Sequence, residues 1–132
     1  MDKSFFTGLQ HIGIPTNTME DTVKFYTDLG FDIIFEGVIE DGTIKIVFLK
    51  LHNLVIEAYE NNMASMRNGA IDHIAINVND IESVFEYIKR EKYKLLNDEI
   101  QFLPFFDRGV RFFTIEGPNK EKIEFNQIIT KE

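Results

Sequence analysis

Leu9-Gln10-His11-Ile12-Gly13-Ile14 stands near the start of the chain and returns further on as Ile71-Asp72-His73-Ile74-Ala75-Ile76. Each copy reads as a β-strand, with β-branched residues, alternating character and a turn signal behind it. Successive side chains of a strand point to opposite faces, so Leu9, His11 and Gly13 share one face and Ile12 and Ile14 the other. Ile71, His73 and Ala75 repeat the pattern. One such histidine alone reads best as a satisfied core or edge residue. Two at matching positions, each beside a small residue, point to two imidazoles aimed into one cavity.

The elements around the two copies repeat as well. Residues 1–8 form a short lead-in to a strand over 9–15. Asn17, with Glu20 three positions on, resembles a capping box and predicts a helix start. Met19, Val23, Tyr26 and Leu29 form its apolar stripe, with Phe25 beside it, and Gly30 stops it as a C′ residue. Strands are predicted over 31–36, 44–51 and 53–59, with Asp41-Gly42 and His52-Asn53 at the turns. His52 has no counterpart in the second half and reads as a surface residue. Residues 60–69 form a polar linker with a short helical turn through Met63 and Met66.

The second half follows the same order. A strand over 71–78 leads to Asn79 and Glu82, again a cap. The helix after it carries Ile81, Val84, Phe85 and Ile88 at helical spacing. A short strand covers 93–96, a loop or irregular strand 98–107, and strands 110–115 and 122–128. A turn at Glu116-Gly117-Pro118-Asn119-Lys120 joins the last two. Two copies of roughly 60 residues are too few and too long for a solenoid. The fold class expected is α+β: two tandem βαβββ modules, about 8–60 and 70–129, in a single domain of residues 1–132. Each helix covers one face of a four-stranded mixed sheet, and the other faces curl over a shared cavity. Ile12, Ile14, Val23 and Tyr26, and Ile74, Ile76, Phe85 and Ile88, are the helix-side core.

Composition narrows the function. With 44% hydrophobic and 27% charged residues the chain is neither disordered nor fibrous. A net charge of −8 without a basic run argues against nucleic acid and anionic membrane as partners. The lack of cysteine removes disulfides, thiolate metal sites and a cysteine nucleophile. Neither a signal peptide nor an apolar run of membrane-spanning length is present, so a soluble cytoplasmic protein is expected.

The closing strands of the halves share one more feature. Val55-Ile56-Glu57-Ala58-Tyr59 and Lys122-Ile123-Glu124-Phe125-Asn126 each place a glutamate after an isoleucine. A solvated outward glutamate is the plain reading of either. Glu57 resists it more, because its neighbours are uncharged. His11, Glu57, His73 and Glu124 together make two imidazoles and two carboxylates. Such a set suits Ni²⁺, Co²⁺, Zn²⁺, Mn²⁺ or Fe²⁺, with water completing an octahedron. A ligating carboxylate can also leave the metal and take a proton.

These motifs resemble the vicinal oxygen chelate superfamily, the glyoxalase/bleomycin-resistance/extradiol-dioxygenase group. The opening strand at Leu9, the stretch Phe25-Tyr26-Thr27-Asp28-Leu29-Gly30-Phe31, and the ending from Glu116-Gly117-Pro118-Asn119 to Ile123-Glu124-Phe125 carry the resemblance over about residues 8–129. Glyoxalase I-like members use His, Glu, His, Glu in this order, which implies His11, Glu57, His73 and Glu124 as metal ligands, with Ni, Co or Zn as the ion. Glu57 and Glu124 are then the catalytic proton carriers.

The resemblance implies a lactoylglutathione lyase-like enzyme that isomerises a small 2-oxo compound or its thiol hemithioacetal, as a homodimer. Methylmalonyl-CoA epimerase-like members are similar but usually carry Gln where Glu57 stands. Fosfomycin-modifying members and extradiol dioxygenases use only a His, His, Glu triad. Antibiotic-sequestering members need no metal, so the alternatives are a methylmalonyl-CoA epimerase-like enzyme and a protein that binds a small antibiotic or aromatic compound without turnover. Arg67, Arg108 and Arg111 are candidates for holding the thiol. Phe102-Leu103-Pro104-Phe105-Phe106 reads equally as pocket lining or as core or interface.

Overall fold

One parallel pairing orders each half. The first runs β1 (Ile12–Thr16), α1 (Met19–Asp28), β2 (Asp32–Ile39), β3 (Ile44–Leu51) and β4 (Leu54–Glu60). Its sheet has the order β1-β4-β3-β2, with β1 parallel to β4 and the other pairs antiparallel. The second runs β5 (His73–Asn77), α2 (Ile81–Arg90), β6 (Lys94–Leu95), β7 (Gln101–Leu103), β8 (Val110–Glu116) and β9 (Lys122–Ile128). Its order is β5-β9-β8-β6, with β7 also on β8. This computed structural model describes residues 2–130. Met1, the first residue of the lead-in, and Lys131 and Glu132, the last of the expected 1–132 domain, lie outside the described residues. The chain divides into two compact units, Met1–Ser65 and Met66–Glu132, each holding one module.

The βαβββ order holds, with one change in the second half. β6 and β7 lie on opposite ends of the same edge of β8, facing Ile115 and Glu116 and then Val110 to Phe112. They are one edge strand broken in the middle, where the first half has the unbroken β2. Within 98–107 only β7 is strand. The linker carries bends and no helical turn through Met63 and Met66.

Each helix covers one face of its own sheet. α2 buries Ile81, Phe85 and Ile88 against β8 and β9, whose Phe113, Ile115, Ile123 and Phe125 are buried. Each such side chain stabilises the fold by about 1.5–3 kcal/mol. α1 buries Met19, Thr22, Phe25 and Tyr26, so its buried stripe is turned from the expected one and Val23 is only half-buried. The reason is polar. Thr22 Oγ1 meets Thr16 Oγ1 at 2.8 Å in the interior, satisfying both hydroxyls. Tyr26, fully buried, stands edge-on to Phe25 and Phe31. Ile14 is core as expected, while Ile12, Ile74 and Ile76 are half-buried.

The helix ends differ from the capping boxes expected at Asn17 and Asn79. The N-caps are Thr18 and Asp80. Asn17 accepts from Ala64 N instead, and Thr18 makes no side-chain cap bond. Each helix is capped from its own closing strand. Met19 N donates to Glu60 Oε2 at 2.6 Å, and Ile81 N donates to Gln127 Oε1 at 2.9 Å. Asp80 adds a bond from Ser83 N. At the far end Gly30, at φ +101°, forms the expected C′. Gly30 N donates to Thr27 O and Phe31 N to Tyr26 O, the pair of bonds that ends a helix in a left-handed residue. Lys92, at φ 62°, does the same for α2 without glycine, with Tyr93 N donating to Ile88 O.

Candidate metal centre

The parallel pairings place the site residues. β1 beside β4 sets Gly13 opposite Glu57, and β5 beside β9 sets Ala75 opposite Glu124. Paired residues of a ladder share a face, and His11 and His73 stand two positions before the small residues. Each glutamate therefore comes up on the face of its histidine. Ile56, Ala58, Ile123 and Phe125 alternate with the glutamates and are buried on the helix side. His11 and Glu57 thus lie away from α1, and His73 and Glu124 away from α2. His11 falls one residue before β1, which begins later than the predicted strand over 9–15, whereas His73 opens β5.

The two pairs have nearly the same geometry. His11 Nε2 lies 3.3 Å from Glu57 Oε1, and His73 Nε2 lies 3.4 Å from Glu124 Oε1. The other ring nitrogens are also engaged. His11 Nδ1 is 2.9 Å from Gln10 Oε1, and His73 Nδ1 is 2.9 Å from Asp72 Oδ2. These oxygens only accept, so a hydrogen bond there has Nδ1 as its donor. In a neutral imidazole that leaves the Nε2 lone pair facing a carboxylate oxygen. A proton or a cation between them resolves the conflict. A close charged hydrogen bond would span about 2.7–2.9 Å. Two donors at about 2.1 Å from one ion, subtending roughly 90–110°, stand roughly 3.0–3.4 Å apart. At 3.3 and 3.4 Å the two pairs are longer than such a hydrogen bond. An acceptor on the far nitrogen is also the usual support of a metal-bound histidine.

The surroundings of the pairs differ. The Phe48 ring stands edge-on to His11 with centroids 5.5 Å apart, and Phe35 packs edge-on to Phe48. The His73 pair opens into a cleft of about 290 Å³ lined by Asp72, Leu96, Asn97, Phe112, Thr114 and Lys122. Asn126 Nδ2 donates to Glu124 Oε2 at 2.8 Å. Lys122 Nζ lies 3.3 Å from Asp72 Oδ1. The hydrogen bond from His73, and then that from Lys122, hold the Asp72 carboxyl below the usual carboxylate range.

Of the four residues expected to act together, the structure pairs His11 with Glu57 and His73 with Glu124. Among the described residues, no group of three or more His, Asp or Glu side chains is arranged to hold a metal ion. Gln10, Asp72, Asn126 and Lys122 belong to the pairs' surroundings but escape the strand pattern. The acceptor–histidine dipeptide, repeated as Gln10-His11 and Asp72-His73, is the signal that finds the first two. Arg111 is tied to Glu82 of α2 at 2.9 Å, on the face away from His73. Arg108 lines a separate cleft with Phe106 and Ile129. Phe102, Phe105 and Phe106 are exposed, which removes the core reading of their loop. His52 is an exposed turn residue at φ 52°, as expected.

Among the described residues no helix is long and apolar enough to cross a membrane. Comparison with known proteins adds the lineage. The chain is 32% identical over 128 residues to the uncharacterized protein YwbC of Bacillus subtilis (strain 168), covering 90% of this chain and 96% of that protein. Its fold is similar to that of a glyoxalase family protein from Enterococcus faecalis, with a TM-score of 0.77 at 20% identity, over 92% of this chain and 98% of that one. It is also similar to the fosfomycin resistance protein FosX from Listeria monocytogenes, with a TM-score of 0.73 at 17% identity, over 94% and 95% of the two chains. A second FosX structure holds Mn(II) and a sulfate ion. The model of the Glyoxalase/Bleomycin resistance protein/Dioxygenase superfamily matches residues 8–125, nearly the whole of both modules, and the chain belongs to that superfamily.

Proposed function

We propose that His11, Glu57, His73 and Glu124 are the ligands of one divalent ion, Ni²⁺, Co²⁺ or Zn²⁺. In this reading the protein is a metal-dependent lyase or isomerase of the glyoxalase I type, acting on a small 2-oxo compound or its thiol hemithioacetal. The observation that supports it is the twofold His–Glu spacing, each imidazole oriented through Nδ1 so that Nε2 meets a carboxylate. Each unit supplies one pair. The set is completed within one chain or between two copies. FosX's Mn(II) agrees with a divalent ion on this fold. Glu57 separates the reading from members that use a His, His, Glu triad.

The bound ion would polarise the adjacent carbonyl and hydroxyl oxygens of the substrate. Glu57 or Glu124 takes the proton from the hydroxyl-bearing carbon and returns it to the neighbouring carbon. A hemithioacetal of methylglyoxal becomes an S-lactoyl thioester, with no atom gained or lost. Gln10 and Asp72 keep the imidazoles from turning. Phe48 shields one side of His11 from water.

The same reading makes the protein a cytoplasmic homodimer. The edge strand β2 supports the dimer, because Ile33, Ile34, Phe35, Val38 and Ile39 are all exposed along it. A long apolar edge of this kind is usually covered. The test of function loads the protein separately with Ni²⁺, Co²⁺ and Zn²⁺ and follows thioester formation from methylglyoxal with several low-molecular-weight thiols. Turnover with one pairing is the expected result. No turnover with any, beside tight binding of an aromatic ligand, would replace the reading with a sequestering protein.

A further inference from the structure

The broken edge strand of the second sheet has a consequence at the site. Between β6 and β7 the chain leaves the edge of β8, and Asn97 mends the ladder with its side chain. Leu96 N still donates to Thr114 O at 2.8 Å, and Thr114 N donates to Asn97 Oδ1 at 2.8 Å. The carboxamide oxygen is thereby engaged, and Asn97 lines the cleft that also holds His73 and Glu124. In the first half the unbroken β2 offers no such group.

Three donors line this cleft. Asn97 Nδ2 and Thr114 Oγ1 have no hydrogen-bond partner among the described residues. Lys122, opposite His73 in the ladder, points its ammonium at Asp72 and uses one of three N–H donors there. Its side chain is 34% exposed. Asp72 Oδ1 also accepts from Asn68 Nδ2, and its Oδ2 from His73, so its oxygens are supplied without exclusive use of the lysine. The same lining carries the carboxylates of Asp72, paired with Lys122, and of Glu124, which the ion would hold, so with the ion bound the cation and two neutral donors form a pocket for an oxyanion. Charge-assisted bonds of this kind are the strong ones.

We infer that Lys122, Asn97 and Thr114 form an oxyanion subsite, and that the substrate is a hemithioacetal whose carbonyl carries a small carboxylate or phosphonate where methylglyoxal has its methyl, the hydroxyl-bearing carbon keeping its hydrogen. The inference rests on the metal reading above and names the class of substrate for that site. The cleft volume of about 290 Å³ suits a group of a few heavy atoms. Lys122 and Asn97 act here as specificity residues, holding the substrate without exchanging protons with it.

The test measures binding of pyruvate, its methyl ester and methylphosphonate to the Zn²⁺-loaded full chain by amide NMR. Metal stoichiometry is measured in parallel. Pyruvate should bind at least tenfold tighter than the ester. Lys122→Met should reduce that preference to within twofold with the zinc stoichiometry retained. Asn97→Leu, at a residue whose side-chain oxygen is bonded to Thr114 N, should weaken pyruvate binding independently. Methylphosphonate competing with pyruvate would extend the class to phosphonates; its failure to compete would restrict it to carboxylates. Equal binding of pyruvate and ester, or an undiminished preference in both variants, would overturn the subsite while leaving the metal reading intact. Absence of zinc binding in the unaltered chain would overturn the metal reading, and the subsite with it.

Discussion

Glu60→Ala removes a cap that no local residue can replace. Glu60 closes β4, forty-one positions from Met19, and its Oε2 takes the Met19 amide proton at 2.6 Å. Thr18, the N-cap residue, offers no side-chain bond. Losing a helix cap costs about 0.5–2 kcal/mol, and a hydrogen bond to a charged group about 1.5–3 kcal/mol. Since Glu60 is half-buried, water can partly resolvate the orphaned amide. A loss of about 1–2 kcal/mol follows from these limits. Glu60→Gln keeps the bond and loses the charge at the helix N-terminus, a loss of about 0.3–1 kcal/mol. The second half already carries this alternative, with Gln127 capping Ile81 at 2.9 Å. Urea unfolding followed by far-ultraviolet circular dichroism gives the two stabilities. Amide exchange at Met19 shows whether the change is local. If Glu60→Gln costs as much as Glu60→Ala, or Glu60→Ala costs less than about 0.3 kcal/mol, the cap assignment is wrong.

Three further outcomes are expected. His11→Ala should abolish stoichiometric metal binding while changing stability by within about 0.5 kcal/mol, because the side chain is off the helix-packed core; calorimetric metal titration beside thermal unfolding checks both halves of the statement. The bonds from Ser83 hold the Asp80 carboxyl below the usual carboxylate range. The stability it contributes should therefore be present above about pH 4 and fall away as the pH drops through its lowered folded value. The urea midpoint of the unaltered chain relative to Asp80→Asn should narrow over that window and stay constant between pH 6 and 7. Sedimentation at micromolar concentration should give a dimer, and Ile34→Lys together with Val38→Lys on the exposed β2 edge should yield a monomer.

Much of the fold is legible in the sequence because its signals are local. The repeated strand, the stripe at Ile81, Val84, Phe85 and Ile88, the stop at Gly30 and the spans of β3 and β9 depend on neighbours along the chain. The histidines and glutamates are also visible, because a duplicated module repeats its chemistry at matched positions. Which groups meet is a property of pairing. Gly13 faces Glu57, and Ala75 faces Glu124, only through parallel ladders between strands far apart in sequence. Asn17 and Asn79 carry the local signature of a cap, but Glu60 and Gln127 arrive from the closing strands and take the helix amides. Val23 fits the helical stripe better than Thr22, but a buried hydroxyl partner at Thr16 turns the helix toward Thr22. The break between β6 and β7 leaves no periodic mark, because Asn97 replaces a backbone ladder bond with a side-chain one. Patterning is set by short-range sterics and hydrophobicity. Hydrogen-bond partners are set by whichever group the tertiary fold brings within about 3 Å.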